Sequence, residues 1–167
     1  MNENLELGSM LPFLAVCKDL NIPVLVMNPN YSRDPSTGAT IPGSSSMDKH
    51  AVFVWNQYVK DSGFDRISIV AHSAGGRCLS SIQKTFEKSF YNQVCAIAYT
   101  DSLVISKKNL NVGQQRFMFK KAVHYKASDK PVGTVINKKP EMTCPVISAG
   151  HIKHEYTTGT SFSKIIA

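Results

Sequence analysis

The stretch Ile67-Ser68-Ile69-Val70-Ala71-His72-Ser73-Ala74-Gly75-Gly76 constrains the fold of this chain more than any other. Its apolar, β-branched beginning predicts a buried strand. That strand breaks at a serine with small residues two before it (Ala71) and two after it (Gly75), and Gly76 loosens the requirement further. From Arg77 to about Ser89, Leu79, Ile82 and Phe86 recur at spacings of three and four, which predicts a helix with one buried face. Strand, small-x-Ser-x-small and helix, in that order, is the sequence form of a nucleophile elbow. Such a turn lifts the serine hydroxyl above the sheet and aims the next amides at an oxyanion. A plain strand-to-helix turn with an idle serine is the competing reading.

Elements alternate along the rest of the chain. Ser9 can cap a helix running to about Leu20, with Pro12 in its tolerant first turn and Leu11, Leu14, Ala15 and Val16 on its apolar side. Ile22 to Met27 is a continuous apolar run and predicts a strand buried on both faces. Residues 28–46, rich in Pro, Gly, Ser and Thr, predict a long loop. A helix is expected over Met47 to Lys60, with Val52, Trp55 and Val59 on one side. A strand is expected over Val94 to Tyr99, a helix over Gln114 to Tyr125, and a short strand over Pro145 to Ala149. The pattern predicts an α/β fold, a mainly parallel sheet flanked by helices.

With 167 residues the chain is expected to form a single domain spanning 1–167. No apolar run is long enough for a membrane span. The acidic start, Met1 to Glu6, lacks the form of a secretory signal, so a nuclear or cytoplasmic location is expected. Cys17, Cys78, Cys95 and Cys144 are scattered in apolar surroundings and read as small hydrophobes, not as a zinc or disulfide set. Neither a metal nor a cofactor is expected.

Charge is uneven. Residues 1–83 carry 6 Lys plus Arg against 7 Asp plus Glu, while residues 84–167 carry 13 against 5. The basic half includes Lys107, Lys108, Arg116, Lys120, Lys121, Lys126, Lys130, Lys138 and Lys139, some of them close to Phe117, Phe119 and Tyr125. Such a field attracts polyanions, so weak RNA contact through this half is one reading, and a solvated surface is the other.

In parallel sheets, polar chemistry collects at the carboxyl ends of the strands. Applied here, that rule gives Ser73, then Asp101, then a histidine, which is the chain order of α/β-hydrolases. Asp101 either orients an imidazole or caps the following segment. His151 and His154 both follow the last strand, and spacing alone does not choose between them. His72 is expected to pack or line, pointing away from Ser73, and His50 and His124 carry no motif.

The motifs Asn28-Pro29-Asn30, Ser45 to Trp55, the elbow from Val70 to Gly76, Thr100-Asp101-Ser102, and Ser148-Ala149-Gly150 followed by His154-Glu155 together resemble the Argonaute-binding protein two domain family, whose animal members are cotranscriptional regulator homologues. The resemblance runs from about Asn2 to Ile166. It implies an α/β-hydrolase-like fold and a nuclear role in RNA silencing, heterochromatin or alternative splicing with an Argonaute-type partner. It places the Ser, Asp and His positions on Ser73, Asp101 and His154. Where relatives have an aromatic residue after the elbow serine, this chain has Ala74. The resemblance also implies that the first strands, and a His-Gly-Ser-Gly type loop that serves the oxyanion, fall before the segment matched here. The chain is therefore expected to be a partial domain, truncated at its N-terminus.

Three functional readings follow. One is a silent or weakly catalytic hydrolase-fold regulator, a pseudoenzyme. Another is a serine hydrolase in which His154 activates Ser73 and Asp101 fixes the imidazole tautomer. The third is a pseudogene-like fragment without a stable fold.

Overall fold

The computed structural model describes residues 5–137 and 142–167. Lys138 and Lys139, counted above in the basic half, lie outside the described residues. Two helices open the chain, α1 (Leu5–Gly8) and α2 (Leu11–Asp19), with Pro12 in the first turn of the second. Helix α3 (Met47–Val54) is capped by the Ser46 side chain, which accepts the Lys49 N–H, and it continues as a π turn through Trp55–Val59. The elbow region follows as β1 (Ile67–His72) and α4 (Gly75–Thr85). The helix breaks at Phe86 and resumes as α5 (Glu87–Gln93), so the single expected helix is two. Then come β2 (Val94–Thr100), α6 (Val112–Lys121), β3 (Ala122–Lys126), β4 (Val135–Asn137) and β5 (Val146–Ser148). A short turn at His154–Tyr156 leads into α7 (Thr157–Thr160) and α8 (Phe162–Ile165).

The sheet has five strands in the order β1-β2-β3-β5-β4. The first three pairings are parallel, and β4 runs antiparallel on β5. Alternation along the strands sends side chains to two faces. Ile67, Ile69, Ile97, Tyr99 and Ala122 meet the larger cluster, built around Trp55, Leu79, Ile82, Phe90 and Met118. Val70, Ala98, Val123 and Tyr125 meet the smaller one, with Ile165 of α8. Large side chains such as Trp55, Phe90 and Met118 are fully buried, each contributing about 2–3 kcal/mol of transfer free energy.

Two further sequence expectations are corrected. Ile22 to Met27 forms no strand: Ile22, Leu25 and Val26 are 51%, 49% and 56% exposed, and no strand among the described residues pairs with the run. Apolar composition without a hydrogen-bonded neighbour does not make a strand. Residues 122–125, expected to prolong a helix, form β3 instead, because Ala122 to Tyr125 pair with Ile97 to Thr100 in the middle of the sheet. All four cysteines are free thiols, with Cys78 and Cys144 buried.

Candidate functional site

β1 and β2 are parallel neighbours in register, His72 opposite Thr100. The next residue on each strand is therefore side by side with the other at the carboxyl rim of the sheet, and these residues are Ser73 and Asp101. Both leave the sheet in the left-handed region, at φ 53° and φ 41°. A non-glycine residue there costs on the order of 1–3 kcal/mol and is sustained only by firm surroundings. Those surroundings are a backbone knot. Ser73 N–H donates to Thr100 O (3.2 Å), Leu103 N–H donates to Ser73 O (3.1 Å), and Asp101 N–H donates to Tyr125 O (2.7 Å). Ser102 ties the two turns together: its Oγ donates to Ser73 O (2.6 Å) and accepts the Gly76 N–H (3.0 Å).

One small residue of the elbow is sterically required. A Cβ on Gly76 would stand 1.8 Å from Leu103 O, so only glycine fits there. A Cβ on Gly75 would meet the Ala71 Cβ at an ordinary 3.7 Å, which shows how closely α4 rises over the end of β1. The first N–H groups of a helix have no acceptor within it, and at the start of α4 the Gly76 N–H is satisfied by Ser102 Oγ.

Asp101 and His154 are brought together: His154 Nδ1 lies 2.7 Å from Asp101 Oδ2. The second carboxylate oxygen accepts the Ala127 N–H at 3.3 Å. Burial pulls the Asp101 pKa up, but the His154 and Ala127 hydrogen bonds outweigh it and hold the carboxyl below its ordinary value. His154 is held in its turn by Thr157 Oγ1, which donates to His154 O (2.8 Å). His151 takes another path. Its Nδ1 accepts the Lys153 N–H (3.0 Å) and its ring packs edge-on against Tyr156.

His72 stacks on His154 with ring centroids 4.5 Å apart, and its Nδ1 donates to Thr100 O (3.0 Å). Burial, and then the neighbouring His154, lower its pKa. Among the described residues no hydrogen bond joins Ser73 Oγ to an imidazole. Two open hollows of about 230 and 370 Å³ flank α6, and neither is lined by Ser73, Asp101 or His154. No cluster of metal-ligating side chains occurs among the described residues.

Sequence reasoning missed His124. Its Nε2 accepts the Ser102 N–H at 3.3 Å, so it supports the residue that ties the two turns. Burial drives its pKa down to about 4, with Lys126 adding to the effect and Asp101 opposing it. No local pattern marks a histidine whose role is to accept a hydrogen bond from another strand's turn.

Adjacent parallel strands ending on a left-handed serine and a left-handed aspartate, with a histidine on the carboxylate, define an α/β domain with an elbow-type turn at its rim. The Arb2 domain family matches residues 30–132, and the chain belongs to that family. It is 30% identical over 128 residues to "Cotranscriptional regulator ARB2A homolog" of Gallus gallus, covering 75% of this chain and 30% of that protein. The Dictyostelium discoideum homolog is 26% identical over 193 residues, covering 95% of this chain and 50% of that protein. "Cotranscriptional regulator ARB2A" of Mus musculus is 24% identical over 219 residues, covering 99% and 52%. The chain thus spans between 30% and 52% of the length of these relatives. No solved structure matches it. No helix among the described residues is long and apolar enough to cross a membrane.

Proposed function

We propose that this chain is an α/β-hydrolase-like regulatory domain that works in the nucleus by binding, with an Argonaute-type protein as partner, and that its Ser73, Asp101 and His154 retain little or no catalytic power. The observation that carries this reading is its match to proteins named cotranscriptional regulators over three quarters of its length. One feature of the site supports weak chemistry. Ser73 Oγ has no hydrogen bond to a base among the described residues, His154 being engaged through Nδ1 with Asp101. A serine without an engaged base is a poor nucleophile.

Mixing the purified chain with a purified Argonaute protein, followed by size-exclusion chromatography over a range of salt, tests the partner. Co-elution supports it, and separate elution at every salt removes it.

A second reading, a serine hydrolase, draws on the 2.7 Å Asp101–His154 contact and the strained Ser73. In it His154 takes the Ser73 proton as the hydroxyl attacks an ester or amide carbonyl, Asp101 fixes the tautomer, and the Ala74 amide faces the oxyanion. In such a site a positioned general base contributes roughly a hundredfold or more to the rate.

A further inference from the structure

Helix α6 is held in place by one face. Met118 is fully buried, and Phe117 packs edge-on against Tyr91 at 4.8 Å. Asn111 and Gln114 close its N-terminus as a capping box. The outer face is a different surface. Val112, Arg116, Phe119 and Lys120 recur at spacings of three and four, so they share one side of the helix. All four are exposed, Val112 and Phe119 each at 66%. They line the hollow of about 230 Å³, together with Lys107 and residues 142–143.

Three of the eight described lining residues are cationic, and none of the described ones is a carboxylate. Arg116 and Lys120 take part in no ion pair among the described residues. The contrast with the hollow on the other flank of α6 is informative, because there Glu87 stands beside Lys88 and the charges cancel. The excess positive charge of the C-terminal half thus has a local focus, and that focus contains a solvent-facing phenyl ring.

We propose that the outer face of α6, centred on Arg116, Phe119 and Lys120, binds single-stranded RNA. The chemistry of the face selects this occupant. Guanidinium and ammonium groups suit phosphates, and an exposed aromatic face suits an unpaired base, which stacks on it whatever its identity. Duplex RNA hides its base faces in its own stack, so it can use the cations but not Phe119. The binding involves this chain alone and is independent of any Argonaute partner.

The test is fluorescence anisotropy of the purified chain with a labelled oligouridine of about ten nucleotides, a length that spans a groove of this kind. A self-complementary RNA duplex serves as comparison. Binding to the single strand is expected to exceed binding to the duplex at matched salt. Phe119→Leu keeps the apolar bulk and removes the ring, and it should weaken single-strand binding about tenfold while leaving duplex binding unchanged. Arg116→Glu with Lys120→Glu should weaken both and flatten the salt dependence by about 1.4 units of slope, two phosphate contacts at about 0.7 each. Lys130→Glu with Lys164→Glu makes the same charge change at exposed positions away from the hollow and should have a much smaller effect. Circular dichroism of every variant should match the parent, since all the substituted side chains are exposed. The proposal is overturned by no binding, by duplex bound as tightly as single strand, by an unchanged Phe119→Leu affinity, or by equal losses in the two double variants.

Discussion

Gly76→Ala puts the tightest contact of the elbow under direct load. The added methyl would lie 1.8 Å from Leu103 O and 2.6 Å from Ser102 Oγ, whereas real Cβ contacts stay beyond 3.0 Å. Helix α4 and the turn at 102–103 must then separate by more than an ångström. Overpacking of this kind costs about 1–3 kcal/mol. The movement also breaks the Gly76 N–H bond to Ser102, which leaves a buried donor at about 1–3 kcal/mol. Alanine's better helix propensity returns about 1 kcal/mol, so the net loss is about 1–5 kcal/mol. For a chain of this size that lowers Tm by roughly 2–20 °C. Gly75→Ala is the matched control, because its Cβ finds ordinary contact with Ala71 at 3.7 Å. It should be neutral or slightly stabilising. Urea unfolding followed by circular dichroism reads both, and the parent chain should unfold in one cooperative transition, which a fragment without a stable fold would not give. A Gly76→Ala chain within about 0.5 kcal/mol of the parent, the range of ordinary surface changes, would refute the reasoning. So would an equal loss at Gly75.

Leu25→Ala is expected to cost less than about 1 kcal/mol, because the side chain is half exposed, while Ile97→Ala, deep in the sheet, should cost about 3 kcal/mol. Equal losses in urea titration would restore the buried strand at 22–27. His124 gives a pH signature. Unfolded, it takes its proton near 6.5; folded, not until about 4. Its contribution is therefore fully present above pH 6.5, is lost as pH falls from 6.5 toward 4, and levels off below that. The loss amounts to about 3 kcal/mol. His124→Gln should flatten the stability profile over this window, and an unchanged profile would contradict the assignment.

The elbow was legible because it is local. Ile67 to Gly76 carries the strand, the small residues and the serine in one stretch, and the close approach of Leu103 O is what demands a glycine at 76. The Ser73, Asp101 and His order was legible too, from the rule about strand ends. The choice of His154 over His151 rested on family resemblance, since only the folded chain shows which imidazole meets the carboxylate. The failures are long-range. Nothing between Lys121 and Ala122 signals a break, and β3 exists because Ile97 to Thr100 offer it a partner. Ile22 to Met27 has strand-like composition but no neighbour, so the same signal gave the wrong element. His124 and Ser102 meet across strands, where periodicity carries no information.

The claim that the Ser73 site is held in shape yet does little chemistry has a direct measurement: the rate of labelling by a fluorophosphonate probe, run beside an active serine hydrolase with Ser73→Ala as blank. The account expects labelling of the native chain at least about a hundredfold slower than that of the reference enzyme, the contribution of an engaged general base that Ser73 Oγ does not have among the described residues. Labelling as fast as the reference, and abolished in Ser73→Ala, would contradict it and make the protein a working hydrolase.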